Sequence, residues 1–184
     1  MKRKTAYTLV LIVFILSFFV TPLGYWSKVW LTQLFAPSPE IVGADNRIKL
    51  PHYDWRLKDA NWDYFNFDES KGKVVFIHFW ASWHLPSSSE LSDIQELYSA
   101  FNNQVDFYVV TNEERSPVEE FMEENEFTFP ITYRIVGEPS PFEIPDPSGT
   151  YIIDKSGEIV VKSLKAKDWN NDKIIELLDG LVTQ

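Results

Sequence analysis

At 184 residues, 45% hydrophobic and 16% aromatic, the chain has the length of one ordinary domain plus an appendage and enough apolar material for a packed core, which excludes wholesale disorder. Its formal charge of −10 argues against a nucleic-acid partner, because phosphate backbones are held by a basic face. It contains no cysteine, which excludes disulfides, thiolate metal sites and thiol catalysis by this chain.

Lys2, Arg3 and Lys4 precede a stretch that carries no charge from Thr5 to Trp26. About 20 residues rising ~1.5 Å each span a ~30 Å hydrocarbon core. Residues 1–26 are therefore expected to be a basic tip and one transmembrane helix, with Tyr7, Tyr25 and Trp26 at the interfaces. The positive-inside rule keeps the tip in the cytoplasm and puts the remainder outside it. The rival reading is a cleaved signal peptide. The bulky "TPLGYWSKVW" that follows offers no small-x-small cleavage site, which favours a retained anchor. Trp26, Val29, Trp30 and Leu34 share one helical face with Lys28 and Gln33 opposite. That suits a helix lying on the membrane surface or a continuation of the anchor. "APSPE" (36–40) breaks the pattern, so residues 27–45 form a juxtamembrane segment and linker.

From about Asn46 the pattern is globular. "HYDWRLKDA" and "DYFNF" alternate as two short antiparallel strands. "KVVFIHFW" (73–80) has the length and continuous apolar character of a buried central strand. Leu91, Ile94, Leu97, Tyr98 and Phe101 then fall on one helical face, and "VDFYVV" (105–110) is a second buried strand. "SPVEEFMEEN" predicts a helix with Ser116 as N-cap and Pro117 at its first position; its run Glu119, Glu120, Glu123 and Glu124 is a solvated face. "ITYRIV", "GTYIID" and "EIVVKSL" are predicted strands, the last two joined by a Lys155-Ser156-Gly157 turn. Asn170 or Asn171 caps a final helix with Ile174, Ile175, Leu177, Leu178 and Leu181 as its apolar positions. This order describes an α/β domain with a mixed central sheet flanked by helices and an extra N-terminal strand pair.

Residues 46–184 resemble the membrane-anchored thioredoxin-like proteins of the TlpA/ResA type. The match is carried by "GKVVFIHFWASW", "SELSDIQELY", "VVTNEE", "GTYIIDKSGEIVV" and the closing "DWNNDKIIELLDGL". The resemblance implies a thioredoxin-like fold and a bacterial envelope setting. It also implies thiol–disulfide exchange by Cys-x-x-Cys at a helix N-terminus, where the dipole and free amides stabilise the thiolate. In this chain the two cysteine positions are His84 and Ser87, with Leu85 and Pro86 between them. The resemblance places a cis-proline at Ser148, with Pro147 and Pro145 close enough in sequence for a bulge to bring a proline beside the site. It places a buried acid or amide at His78.

The chemistry open to these residues is limited. At a first helical turn the dipole disfavours imidazolium, leaving His84 as hydrogen-bond partner, weak base or metal ligand, or as filler of a vacated position. His84 and Ser87 are spaced to meet, but no orienting acid or Gly-rich oxyanion signal accompanies them. His78, His84 and Glu90 match no metal spacing, and His52 is an ordinary surface residue. No metal or cofactor is expected. Trp80 and Trp83 are either core and lip aromatics or the lining of a peptide groove, completed by His84, Leu85, Pro86, Ser87, Pro147, Ser148 and Gly149. In thioredoxin folds the loop before the "GTYIID" strand pairs with a substrate backbone, which needs no sulfur. The favoured reading is a membrane-anchored, redox-inactive module that binds an envelope protein or peptide. The alternative is an oxidoreductase-family member, in envelope redox homeostasis or cytochrome c maturation, working only with a cysteine-bearing, redox-active membrane partner.

Overall fold

A computed structural model describes residues 3–20, 24, 27–29, 31–32, 35–145 and 147–183, the side chains of 18–20 excepted. Helix α1 (Arg3–Val20) occupies the expected anchor. Its first two residues are Arg3 and Lys4, and among the described residues no helix is long and apolar enough to cross a membrane. Lys2, Tyr25, Trp26, Trp30, Gln33 and Leu34, on which the anchor and surface-helix expectations partly rest, lie outside the described residues.

The domain is built on one eight-stranded sheet. Its strands are β1 (Ile48–Lys49), β2 (Arg56–Lys58), β3 (Tyr64–Asn66), β4 (Val74–Phe79), β5 (Val105–Thr111), β6 (Ile131–Arg134), β7 (Gly149–Ile153) and β8 (Glu158–Ser163). Their spatial order is β1-β8-β7-β4-β5-β6-β2-β3. β4, β5 and β6 run parallel; β7 and β8 return antiparallel, and β2–β3 is the expected antiparallel pair. β4 is buried along its whole length, as a continuous apolar run predicts for a central strand. Edge strand β1 has only two residues, too short to leave a sequence pattern.

Helices α2 (Leu85–Ser89), α3 (Leu91–Phe101), α4 (Arg115–Glu124) and α5 (Asp172–Thr183) complete the fold. One core layer lies between the sheet and α3, α4 and α5: Val74, Phe76 and Trp80 meet Leu91, Ile94, Leu97, Val118, Ile174 and Leu178. Among the described residues the other layer contains no α-helix, only the short 3-10 helix Phe67–Ser70. Val75, Ile77 and Phe79 are covered there by Trp55, Leu57, Phe67 and Phe142 from the N-terminal strand pair and the loop before β7.

Two termini differ in instructive ways. Asn171 caps α5 as expected, its Oδ1 accepting from Ile174 N at 3.2 Å. Helix α4 instead starts one residue before Ser116, with Glu114 as an N-cap whose side chain makes no capping bond. Pro117 is then the third helical residue, which is tolerated because the first four N–H groups of a helix have no intrahelical acceptor. At the β7–β8 turn, Gly157 takes φ 84°, a conformation other residues adopt at a cost. Asp154 closes the turn by accepting from the N–H groups of Ser156 and Glu158, each at 2.9 Å.

Candidate functional site

The site lies where β4 gives way to α2, at the carboxyl ends of the parallel strands, the usual ligand position in open α/β sheets. Trp80 N donates to Val110 O at 3.0 Å, extending the parallel pairing one residue beyond β4. The indole turns inward onto Phe121, 5.3 Å between centroids. The turn is then pinned from the side: Ser82 donates from both N and Oγ to the Glu113 carboxylate, each bond 2.7 Å. His84 caps α2 from an extended backbone (φ −95°, ψ 96°), and its Nδ1 accepts from Ser87 N at 3.3 Å. That N–H fixes Nδ1 as the acceptor nitrogen.

The side chains of His84 and Ser87 meet, Nδ1 to Oγ 3.1 Å. Ser87 is nevertheless fully buried. Its Oγ accepts from Ala81 N at 3.2 Å and lies 3.0 Å from His84 O and 3.3 Å from Ala81 O. A hydroxyl enclosed among main-chain groups cannot reach a substrate, so the pair is not an activated nucleophile.

Beneath it His78 is fully buried. Nδ1 meets Thr150 Oγ1 at 2.8 Å, whereas Nε2 has no hydrogen-bond partner. Burial drives its pKa down to about 3, the main chain of Ser87 offsetting a little of that. The ring is neutral at any ordinary pH. Glu90, which ends α2, is a second buried ionisable group. Oε1 accepts from Trp169 Nε1 at 2.6 Å and Lys167 N at 2.9 Å, and Oε2 from Ser148 Oγ at 3.1 Å. Burial nonetheless raises its pKa to about 7, against those three hydrogen bonds. The same carboxyl thereby joins the turn, the loop before β7 and the approach to α5.

Above these groups opens a cleft of about 110 Å³, lined among others by Trp80, Trp83, Asn112, Arg134, Ile144, Pro145 and Pro147. Trp83 stands 70% exposed on its rim. The opposite wall is the loop before β7, held by Tyr151 Oη donating to Glu143 O at 2.7 Å. Gly149 lets that wall fold back: a Cβ there would stand 2.7 Å from Pro145 Cγ.

Residues 48–162 match the AhpC/TSA family. The chain belongs to it. Among curated relatives it is 28% identical over 167 residues to a thiol-disulfide oxidoreductase ResA of Bacillus cereus, covering 87% of this chain and 88% of that one. It is also 28% identical over 126 residues to the thioredoxin-like protein YneN of Bacillus subtilis, covering 66% and 73% respectively. Among solved structures, a secreted thiol-disulfide isomerase from Corynebacterium glutamicum aligns with a TM-score of 0.62 at 17% identity, covering 79% of this chain and 92% of that one. That structural likeness establishes the thioredoxin-like fold.

Within this AhpC/TSA-family chain the nine groove candidates separate by depth. Trp80, Trp83 and Pro147 line the cleft, although Trp80 is only 2% exposed and serves mainly as core. His84, Leu85 and Pro86 are half-buried on the adjoining turn. Ser87, Ser148 and Gly149 are buried behind it, so they shape the walls without presenting side chains to a ligand. Among the described residues, no three of His, Asp and Glu are grouped to hold a metal; Glu90 is turned to Trp169 and His78 to Thr150. Sequence reasoning missed Glu113, Asn112 and Arg134. "VVTNEE" gave the only cue, a polar run at the end of a buried strand.

Proposed function

We propose that this protein is a membrane-anchored, redox-inactive member of its family, serving as a non-catalytic peptide- or protein-binding module on the outer face of a bacterial cytoplasmic membrane. One observation carries the reading. At the two positions where the resemblance expects cysteines, His84 and Ser87 bring their side chains to 3.1 Å, beneath an open cleft, in a chain without a thiol. The relatives' names support the competing account, a thiol–disulfide role shared with a cysteine-bearing partner.

The test restores what is missing. His84→Cys with Ser87→Cys should form an intramolecular disulfide, since the side chains already meet, and the first thiol should be acidified by the helix terminus. The native chain should reduce no model disulfide in a dithiol-driven assay, and the double variant should do so in part. Native activity would overturn the redox-inactive reading, and activity that appears only with a copurifying cysteine protein would favour the competing account. The uncharged stretch from Thr5 to Trp26 behind Lys2, Arg3 and Lys4 supports the anchor and its orientation. A reporter fused after Gln184 should be active outside the cytoplasm; a cytoplasmic signal sinks the location.

A further inference from the structure

Arg134 stands out among the arginines beyond α1. Arg47 holds Asp154 and Glu158, Arg56 holds Glu138, and Arg115 holds Glu119. No carboxylate among the described residues pairs with Arg134, although the chain carries 27 acidic residues. It ends β6, is half-buried, and lines the cleft beside Asn112. Of the described acids that adjoin or face the cleft lining, Glu113 is held by Ser82, Glu143 by Lys162 and Glu138 by Arg56; Asp146, between Pro145 and Pro147, lies outside the described residues. A half-buried guanidinium that no described carboxylate meets is costly, and it is the group best suited to fork onto a carboxylate.

The dimensions narrow the occupant. About 110 Å³ is well below the ~300 Å³ of a cofactor or drug-sized pocket and suits a single side chain. A polypeptide side chain fits better than a free anion, because an isolated ion would leave Trp83, Ile144, Pro145 and Pro147 wet. We infer that the cleft receives an acidic side chain, Asp or Glu, of a partner's polypeptide segment, with Arg134 on its carboxylate and Trp83 against the flanking residues. This rests on the binding-module reading above and adds the chemistry by which the module selects.

The experiment uses the full chain in detergent micelles and a phage-displayed library of random heptapeptides. Recovered peptides should carry Asp or Glu at one fixed position. A synthetic Glu/Gln pair made from the best of them should differ about tenfold or more in Kd, the scale of a charge-assisted hydrogen bond, and the gap should narrow with salt. Arg134→Gln should abolish the Glu/Gln difference while Arg134→Lys keeps part of it. Peptides that bind through Trp83, losing affinity in Trp83→Ala, but show no acidic preference would overturn the role of Arg134 and leave the binding module standing. No enrichment over background, or peptides indifferent to Trp83→Ala, would overturn both.

Discussion

On one face of β4, Val75, Ile77 and Phe79 lie against an aromatic stack in which Phe67 approaches Trp55, Tyr108 and Phe142 with centroids 5.9, 5.2 and 5.6 Å apart. On the other face the series Val74, Phe76, Trp80 is interrupted by His78, and above it lie Ser87, Glu90, Ser148 and Thr150, all buried. Among the described residues the first face leaves Trp55 Nε1 unmet and the second leaves His78 Nε2 and Trp80 Nε1. Buried polar groups weaken a fold unless paired. The strand is thus apolar throughout where it only has to fold, and polar where it runs under the site, the usual place for local rules to be broken.

The contrast breaks first at Phe67. It is fully buried among the rings of Tyr53, Trp55, Tyr108 and Phe142, so Phe67→Ala should cost about 3–5 kcal/mol through lost transfer energy and a cavity. Denaturant titration at constant m-value measures it. A loss below about 1 kcal/mol would mean that this layer is loosely packed and that the two faces differ less than their composition suggests.

The second test is titration, and it touches only the polar face. Glu90 has its pKa raised from 4.5 to about 7, so the folded state holds a proton that the unfolded chain releases. Its contribution is complete below about pH 4.5 and is lost as pH rises through about 7, on the order of 3 kcal/mol over the whole range. Asp93, raised from 3.8 to about 6 chiefly by burial, acts in the same direction at lower pH. His78, depressed from 6.5 to about 3, acts oppositely: its contribution is complete well above pH 6.5 and is lost as pH falls. All three act below pH 6.5; over pH 6.5–8 Glu90 dominates, losing roughly 1 kcal/mol while His78 restores about half of that. The native chain should lose stability across that window and Glu90→Gln should not, since a Gln amide can accept from Trp169 and donate to Ser148. Parallel curves for the two proteins would mean that Glu90 is ionised and content in its surroundings.

Much of this fold was legible in the chain because its signals are local and redundant. "KVVFIHFW" is apolar in every residue that could face either layer except His78, and Leu91, Ile94, Leu97 and Phe101 keep helical spacing; all four are buried. The site was less legible. Trp80 and Trp83, three residues apart and alike in type, end at 2% and 70% exposure, because the chain turns between them and only tertiary packing decides which ring goes inside. In the sequence Glu90 suggests only a metal ligand with His78 and His84, at a spacing that fits no metal motif. Its role as a buried tie follows from Trp169 and Lys167, which lie more than seventy residues further along and leave no trace in nearby sequence. Arg134 was invisible for the opposite reason: what marks it is that no described carboxylate pairs with it, and sequence does not record which acids are already engaged.

The smallest expected effect is also the most discriminating. His78 and Thr150 share one hydrogen bond of 2.8 Å on the polar face of the strand, and the imidazole leaves its other nitrogen unmet. Removing one partner should hurt: Thr150→Val strands Nδ1 as well, at about 1–3 kcal/mol. Removing both should not, because replacing a buried polar pair by apolar groups of similar shape is nearly neutral or stabilising. His78→Leu with Thr150→Val should therefore lie within about 1 kcal/mol of the native chain, and the coupling in the double-mutant cycle should be favourable to the pair. The same double variant should keep its affinity for any peptide held by Trp83, since neither residue lines the cleft. A double variant that falls well below Thr150→Val alone would show that Nε2 is satisfied after all, through the main chain of Ser87. The imidazole would then be a strut under the turn, holding Ser87 against His84, and the polar face of β4 would be as structurally obligatory as the aromatic one.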